Sequence, residues 1–427
     1  MRKNPERTAW IVLFTAFGIF MTCAISLPLG VRTYLYNATT TFQTNLTSIR
    51  GTVLARQVDA EIPTPITRDS TQPLDEFTIV TTDDTSQAAL TFFEGSEVTM
   101  YNNTILIIHL TRKPRFGISP HPAQVVIEVV KGRIRVRVGS ANTDRRFEVK
   151  TPHAHVSLQN GSYAVEASNE KTFVTTRAGL AEVTAQGAMV AVAQGELTTV
   201  AVNEPPTPPA PAEQNLLVNG DFSQGLSDSW HPTVYVPAET ITDTVQVVER
   251  NEEGLVSKAD LLNAVTSTLR IVTIGGQPVL EFSSEGADNV HTEASIRQDI
   301  NKDVQDFQSL RINAQIRLNY QSLPGGGQLG TEFPVMIQLA YRDADGNDRN
   351  WFHGFYYQSP PNNYILYNQP DNSNESITQF LWYPYESENL LVSLGNARPV
   401  YVKYIRIYAS GWIYNSMVTD VKLLAKD

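Results

Sequence analysis

The stretch NEPPTPPAPAEQNLLVNGDFSQGLSDSW, residues 203–230, decides how this chain is organised. Five of its first twelve residues are proline. Proline has no backbone N–H to donate to a sheet, so residues 203–214 predict an extended spacer that forms no sheet ladder. Directly behind the spacer, an apolar run begins at Leu216 and leads through an Asn-Gly turn to Phe222 and Trp230. This order predicts that one folded domain ends before the spacer and that a second begins behind it.

The charge and the cysteine content limit the classes of function. Over 427 residues the formal net charge is −11, and the sequence pI is about 5.2. Nucleic-acid binding depends on clustered Lys and Arg, so this acidic balance argues against a nucleic-acid partner. The chain has one cysteine, Cys23, which excludes an intrachain disulfide and a cysteine-based metal site.

The N-terminal segment predicts one membrane-spanning helix. Residues Ala9–Gly30 read AWIVLFTAFGIFMTCAISLPLG and carry no charge, and about 20 helical residues cross a bilayer core. The alternative is a cleaved signal peptide, whose apolar region usually spans only ~7–15 residues before a small-x-small site. This run is longer and has no clean A-x-A, which favours an uncleaved anchor in the lipid bilayer.

The charges beside this helix predict its orientation. Arg2, Lys3 and Arg7 precede the apolar run, whereas only Arg32 follows it closely. Because cytoplasmic flanks carry the excess of Lys and Arg, we expect a single-pass protein of the cell membrane with a cytoplasmic N-terminus and an extracytoplasmic bulk. The predicted segments are a cytoplasmic tail (1–8), a transmembrane helix (9–31), a juxtamembrane segment (32–51), a first β domain (52–202), a proline-rich linker (203–214) and a second β domain (215–427).

The first exported domain is predicted to consist of strands. Residues 52–202 repeat short β-branched stretches with period-2 alternation, separated by Gly, Asn or Asp turns. In RIRVRVGS, residues 133–140, apolar side chains alternate with Arg133, Arg135 and Arg137. The preferred interpretation is a solvated strand face with cross-strand carboxylates. The alternative is a surface that holds an acidic glycan.

A set of landmarks runs through this domain. They lie in QAALTFFEGSEVTM, KGRIRVRV, FEVKTPHAHVSLQNGSYAVEA and a closing Gly-Glu, at Gly95, Ser96, Gly132, Thr151, Pro152, Ala154, Gly161 and Glu196. With these landmarks the domain resembles the FecR domain over residues 85–200. The resemblance implies an extracytoplasmic β module that, in iron-transport signalling, passes an outer-membrane signal to a cytoplasmic anti-sigma tail. Here about eight residues precede the helix, which is too few for a sigma-binding domain. We therefore expect only the β module to carry over.

The second domain shows longer alternating stretches. SLRINAQIRLNY, residues 309–320, predicts a half-buried antiparallel strand. Its predicted apolar face consists of Leu310, Ile312, Ala314, Ile316, Leu318 and Tyr320. Residues 334–357 predict two strands joined by an Asp-Gly hairpin, and residues 401–427 predict two closing strands. A last strand that runs to the C-terminus predicts a sandwich whose termini pair. The predicted fold class is all-β, with two β-sandwich-type domains after one N-terminal transmembrane helix.

The start of this domain resembles the galactose-binding-like jelly rolls of carbohydrate-binding modules. The resemblance is carried by the motif in NLLVNGDFSQGLSDSW at Asn219, Gly220, Asp221, Phe222, Gly225, Leu226 and Trp230. It implies that the tryptophan packs under the sandwich. It also implies one cofactor, a structural calcium ion that ties the first and last strands, with Asp221 and Asp420 at the matching ends.

Aromatic residues give the best signal for a ligand site. Four of the five tryptophans and thirteen of the seventeen tyrosines follow Asn215. Flat rings with polar tips bind sugar faces, and buried rings anchor cores, so we expect half or more of them inside the sandwich. The predicted ligand-binding groove is lined by Trp351, Tyr357, Trp382 and Tyr385.

No motif for catalysis is present. The sequence lacks G-x-S-x-G, H-E-x-x-H and a P-loop, so we name no catalytic residue and expect no enzyme. The predicted function is a membrane-anchored extracytoplasmic protein of the cell envelope, sensor-like or binding, with polysaccharide as its ligand. One alternative is a scaffold that binds other envelope proteins. Another is a glycosidase, because its carboxylate pair has no fixed spacing in sequence.

Overall fold

The computed structural model describes residues 5–57, 59–139, 145–226, 229–235, 247–251, 254–259, 265–286 and 288–427. Strands account for 55% of the protein and helix for about 10%, most of it at the N-terminus. The predicted all-β class with one N-terminal helix is confirmed. The chain divides into two compact units, Met1–Ala212 (unit 1) and Glu213–Asp427 (unit 2).

One long helix, α1 (Pro5–Asn37), begins unit 1. It is longer than the predicted segment 9–31, because residues on both sides of the apolar run continue the same helix. Its apolar window has a mean hydropathy of 2.1, and no part of that window is buried. The helix is long and apolar enough to cross a membrane, which suggests single-pass anchoring, although a signal sequence has the same properties.

The strands of unit 1 form two sheets. They are β1 (Thr39–Thr41), β2 (Thr44–Arg50), β3 (Val53–Gln57), β4 (Thr64–Ile66), β5 (Thr71–Leu74), β6 (Thr78–Thr81), β7 (Gln87–Thr91), β8 (Glu97–Met100), β9 (Ile105–Pro114), β10 (Ala123–Val138), β11 (Arg145–Lys150), β12 (His155–Leu158), β13 (Gly161–Ala167), β14 (Lys171–Ala178), β15 (Ala181–Ala185), β16 (Ala188–Val192), β17 (Glu196–Ala201) and β18 (Ala210–Pro211). One sheet has the order β4-β3-β6-β9-β10-β11-β12-β15-β16, and β1 also pairs with β9. The other has the order β5-β2-β7-β8-β10-β13-β14-β17-β18.

Strand β10 joins the two sheets and changes sheet at Gly132. Before this residue it pairs with β9 and β11, and from this residue onward it pairs with β8 and β13. Gly132 has φ +96°, and a Cβ there would lie 2.5 Å from the Cα of Thr104, so the crossing requires glycine. Apolar side chains from both sheets share one core.

The prediction of a separate juxtamembrane segment over residues 32–51 is wrong. Its first residues complete α1, and its later ones form β1 and β2 of the unit 1 sheets. Leu46 and Ser48 of β2 are fully buried, whereas Asn45 between Thr44 and Leu46 is exposed. This period-2 alternation makes β2 part of the core rather than a tether.

The arginine stripe of β10 pairs across the sheet. Arg133 lies directly opposite Glu166 with Nη1 to Oε2 at 3.2 Å, and Arg137 lies opposite Glu97 at 2.9 Å. The cross-strand carboxylates are therefore present as predicted. The expectation of a solvated face is wrong for Arg133 and Arg135, which are 5% and 6% exposed.

The proline-rich segment does make sheet-like hydrogen bonds, contrary to prediction. The backbone N–H of Thr207 donates to the carbonyl of Thr199 at 2.9 Å, and that of Ala212 donates to Gly195 at 2.9 Å. Strand β18 pairs with β17. The threonine and alanine residues between the prolines keep the donors that proline lacks, so the segment follows the last strands of unit 1. The division between the units falls inside the predicted linker, between Ala212 and Glu213.

Unit 2 is a sandwich of two sheets around a large apolar core, and a smaller apolar cluster consists of Phe333, Met336 and Tyr408. Its elements are β19 (Glu213–Asn215), β20 (His231–Tyr235), β21 (Val247–Asn251), β22 (Gly254–Ala259), β23 (Val265–Ile274), β24 (Gln277–Glu285), β25 (Thr292–Asp303), β26 (Ser309–Gln321), β27 (Val335–Asp343), β28 (Asp348–Tyr356), β29 (Asn372–Ser376), β30 (Tyr383–Glu386), α2 (Leu390–Ser393), a 3-10 turn (Gly395–Ala397), β31 (Pro399–Gly411) and β32 (Tyr414–Lys426). One sheet has the order β21-β22-β23-β24-β32-β26-β30, with β19 on β32, and the other has the order β20-β25-β31-β27-β28-β29.

The alternating stretches of unit 2 predict its strands well. Strand β26 covers the predicted residues, and β27 and β28 form the predicted hairpin. Tyr320 is 46% exposed instead of lying on the apolar face, because a register shift after Leu318 interrupts the alternation. The termini of the unit pair as predicted, with Glu213 opposite Lys426.

The opening turn of unit 2 fixes two aromatic rings in the core. Phe222 and Trp230 are each 1% exposed, and their ring centroids lie 5.8 Å apart. The indole N–H of Trp230 donates to the carbonyl of Asn219 at 3.0 Å. A Cβ on Gly220 would lie 1.9 Å from the carbonyl oxygen of Val421, so only glycine permits this approach to β32. The tryptophan packs inside the sandwich as the resemblance implies.

Candidate functional site

A cleft of about 400 Å³ opens in unit 2, where β28 and β29 of one sheet meet β30 of the other and the loop into α2. Most of the side chains at its surface are polar or charged. They are Trp351, His353, Asn368, Gln369, Pro370, Ser373, Tyr385, Glu386, Ser387, Glu388, Leu390 and Ser393. A cleft with this lining suits a hydrophilic ligand that offers many hydrogen-bonding groups.

Three stacked rings form the floor of the cleft. The ring of His353 lies parallel to that of Trp351, with an interplanar angle of 7° and 5.9 Å between centroids. It also stacks on Tyr385 at 4.7 Å, and Phe355 closes the group edge-on. Trp351 and His353 are two residues apart on β28, so they point to the same side of the strand. Trp351 and Tyr385 are only 3% and 7% exposed, so little ring face is free for stacking on a ligand.

His353 is a buried, neutral imidazole. Burial lowers its pKa from the ordinary value of 6.5 to about 4. Its Nδ1 lies 2.8 Å from the hydroxyl oxygen of Ser373, the residue directly opposite on the parallel strand β29. Its Nε2 is buried and has no hydrogen-bond partner in the described chain, and the nearest carboxylate, Glu375, lies at 3.8 Å. The tautomer that lets Ser373 donate to Nδ1 leaves a proton on Nε2.

A second polar pair joins β30 to β29 close to these rings. The hydroxyl of Tyr383 donates to Oε1 of Glu375 at 2.5 Å, and this contact raises the pKa of Tyr383 to about 12. Burial raises the pKa of Tyr385 well above its usual range. Both phenols are therefore protonated at neutral pH, so they act as hydrogen-bonding groups rather than as nucleophiles or bases.

The loop between β30 and α2 is held on β26 by its own side chains. The hydroxyl of Ser387 accepts from the backbone N–H of Ile312 at 2.9 Å. The carboxamide oxygen of Asn389 accepts from the backbone N–H groups of Leu310 and Leu391. Through the bond from Leu391, Asn389 caps the N-terminus of α2. This side of the cleft is thus fixed by the sheet, and a ligand meets a preformed wall.

The structure separates the four aromatic residues predicted for the groove. Trp351 and Tyr385 lie together in the cleft. Tyr357 is partly buried against the core, and its hydroxyl lies 3.3 Å from the backbone nitrogen of Gln321. Trp382, directly before β30, is half-buried and is not among the residues that line the cleft.

Sequence reasoning did not single out the polar lining. Ser373 reaches His353 only because β29 pairs in parallel with β28, a pairing that the local sequence does not encode. The period-2 alternation that begins at Trp351 does place His353 on the same face of the strand, and this local pattern is a signal in the sequence for their proximity.

Asp221 and Asp420, the two residues predicted to bind calcium, each follow or precede a residue of one backbone hydrogen bond. The backbone N–H of Val421, next to Asp420, donates to the carbonyl of Gly220, next to Asp221, at 2.9 Å. One oxygen of Asp221 accepts from the backbone and hydroxyl of Ser223. Among the residues that the structure describes, no three His, Cys, Asp or Glu side chains cluster as metal ligands. Calcium stays a prediction that would need backbone carbonyls as further ligands.

The model of the family described as FecR protein matches residues 78–182. The match begins at β6 and ends in β15, inside unit 1, and the predicted resemblance is confirmed. The FecR match supports a sensor or binding role in the cell envelope. A search of curated proteins found no match.

Solved structures similar to part of the chain include an anti-sigma factor, a carbohydrate-binding module and a cellulase. A putative anti-sigma factor from Parabacteroides distasonis is 19% identical with a TM-score of 0.26, and the similarity covers 31% of this chain and 59% of that one. The family 11 carbohydrate-binding module of a cellulosomal cellulase of Clostridium thermocellum is 12% identical with a TM-score of 0.26, covering 50% and 95%. A cellulase derived from that of Rhodothermus marinus is 10% identical with a TM-score of 0.23, covering 46% and 100%. Likeness at this level does not establish a shared ligand or activity.

Proposed function

We propose that the protein is anchored by α1 with its N-terminus in the cytoplasm, and that unit 2 binds polysaccharide outside the cell through the cleft on β28, β29 and β30. The basic residues before the apolar run support this orientation. The FecR match in unit 1 supports a place in the envelope. The observation that carries the ligand class is the polar cleft itself, which presents amide, hydroxyl and carboxylate groups over an aromatic floor.

The mode of binding differs from the one that the sequence suggested. With Trp351 and Tyr385 almost fully buried, a sugar would contact mainly the polar rim. Asn368 and Gln369 are exposed side chains of that rim, and their amides donate to and accept from hydroxyl groups. Ser373, bonded to His353, lies deeper.

A glycan array with the full-length protein in detergent micelles tests this function. We expect binding to one class of polysaccharide, and we expect the double variant Asn368→Ala/Gln369→Ala to weaken it by about tenfold, as for the loss of one or two hydrogen bonds. The matched control is Asn362→Ala/Asn363→Ala, two exposed residues of the same connection that do not line the cleft. Equal loss in both double variants, or no glycan binding at all, contradicts the proposal.

A protein scaffold is the second candidate, because the FecR match points to protein partners. Envelope proteins that co-purify with the full chain, without any affinity for glycans, would favour it. We expect no enzymatic activity, and release of reducing sugar from a bound polysaccharide would revive the glycosidase alternative.

We also propose the structural calcium ion between Asp221 and Asp420. Removal of calcium with a chelator should lower the melting temperature of unit 2, because an ion at a hundredfold excess over its Kd stabilises by about 2.7 kcal/mol. The variants Asp221→Asn and Asp420→Asn should melt lower and no longer respond to calcium. An unchanged response in both variants would place any bound ion elsewhere.

A further inference from the structure

The charges around the cleft of unit 2 are predominantly negative. Its lining includes the carboxylates of Glu386 and Glu388 and, in the described part of the chain, neither Lys nor Arg. Arg311 offsets one of them, since its Nη1 lies 2.5 Å from Oε1 of Glu386. Glu388 is exposed and has no ion pair with another described residue. Glu375 adds a further carboxylate, with Oε2 at 3.8 Å from Nε2 of His353.

The floor contributes no compensating positive charge. His353 is 9% exposed and stacks on the rings of Trp351 and Tyr385, which leaves little water to solvate a protonated imidazole. Its Nε2 lacks a hydrogen-bond partner among the described residues. The cleft therefore combines an uncharged floor with an unpaired carboxylate, that of Glu388, on its rim.

We propose that the cleft selects sugars by charge and prefers amino sugars to neutral sugars and neutral sugars to uronic acids. This inference rests on the proposed glycan-binding function and adds the ligand class. A protonated amine on the sugar ring would lie against the Glu388 carboxylate, while Asn368 and Gln369 bind ring hydroxyls. A uronate in the same position would meet a like charge, and one such contact at ~5 Å in a partly solvated site changes affinity by about tenfold.

Three matched tetrasaccharides test the order. The β-1,4-linked tetramers of glucose, glucosamine and glucuronic acid share one backbone and differ in the charge that each ring carries. Their affinities for the full-length protein in detergent micelles are measured by calorimetry at about pH 6, where an amine is protonated and a carboxylate is ionised. We expect the glucosamine tetramer to bind about tenfold more tightly than the glucose tetramer, and the glucuronic acid tetramer to bind about tenfold more weakly.

The variant Glu388→Gln tests the residue that carries the preference. We expect it to weaken binding of the glucosamine tetramer about tenfold, to strengthen binding of the glucuronic acid tetramer, and to leave the glucose tetramer within about twofold. The control is Glu285→Gln, which removes an exposed carboxylate of unit 2 outside the cleft lining. Raising the salt concentration from about 0.05 to 0.5 M should weaken binding of the glucosamine tetramer and leave the affinity for the glucose tetramer unchanged.

The outcomes separate this inference from the proposed function. Tight binding of the glucose or glucuronic acid tetramer, with no advantage for the amino sugar, overturns the charge preference and leaves glycan binding standing. An amino-sugar preference that survives in Glu388→Gln, or that Glu285→Gln removes equally, overturns the assignment to the cleft. If none of the three tetramers binds and the glycan array is also negative, both proposals fail.

Discussion

The cleft of unit 2 and a depression on unit 1 have similar sizes and opposite chemistry. The depression, about 310 Å³, is lined by Phe77, His109, Leu110, Gln124, Val126, Arg146, Glu148 and Lys150. There His109 lies 2.6 Å from Glu128, and Arg146 forms an ion pair with Glu148. In unit 2, by contrast, Nε2 of His353 and the carboxylate of Glu388 have no such partners among the described residues.

The two concave surfaces differ in the sign of the charge that is left without a partner. In unit 1, His109 contacts Glu128 and Arg146 pairs with Glu148, but Lys150 lines the depression, is exposed and has no ion pair with another described residue. In unit 2 the unpaired group within reach of a ligand is the exposed carboxylate of Glu388, because Nε2 of His353 is buried. The cavity size alone does not distinguish the two surfaces, but the sign of their unpaired charge does: it is positive at Lys150 and negative at Glu388.

Replacement of Trp351 by alanine should have the largest effect. The ring is 3% exposed and belongs to the core of unit 2, so we expect a loss of about 3–5 kcal/mol in the free energy of unfolding. Tryptophan fluorescence in denaturant reports on this unit, because four of the five tryptophans lie in it.

The matched control for that variant is Phe147→Ala in unit 1, where the ring is 1% exposed in the other core. We expect a comparable loss in the free energy of unfolding, measured by circular dichroism, and unchanged glycan binding. A stable Trp351→Ala protein that has lost only glycan binding would mean that the ring acts as a ligand platform rather than as core.

The stability of unit 2 should depend on pH because His353 is buried. Because the folded protein lowers the pKa of His353 to about 4, the unfolded chain binds more protons below about pH 6.5. The contribution of this residue is fully present at neutral pH and decreases as the pH falls toward about 4, at up to about 1.4 kcal/mol per pH unit.

The check is denaturant unfolding followed by tryptophan fluorescence between about pH 7 and pH 4. The variant His353→Gln cannot take up this proton, so its stability should vary less over the same range. Parallel pH profiles for the two proteins would argue that the imidazole is not held neutral by burial.

The smallest effect is expected in the depression of unit 1. The variant His109→Gln loses the contact with Glu128, and both of these side chains are about 30% exposed. Because the contact is partly solvated, its loss should change the free energy of unfolding by no more than about 1 kcal/mol. Glycan binding should not change. A loss of glycan binding in this variant would remove the contrast between the two concave surfaces.

Some features of the site follow from local sequence, and others do not. The alternation from Trp351 to Phe355 places those side chains on one face of a strand, which the structure confirms. The same rule failed at Tyr320, because a register shift belongs to the pairing of two strands and not to either strand alone. The four aromatics were grouped by composition, and composition carries no information about which strands become neighbours.

The sequence by itself determined the apolar N-terminal helix, the strand-rich character of both units, the FecR-like landmarks and the turn that begins unit 2. These features depend on residues that are close together in the chain, where backbone sterics and hydrophobic period act directly. Tertiary structure alone decided that residues 203–212 follow the last strands of unit 1 and that Ser373 meets His353 across a parallel pair. It also decided that Trp351 is buried while the polar rim is open, because burial depends on packing between elements far apart in sequence.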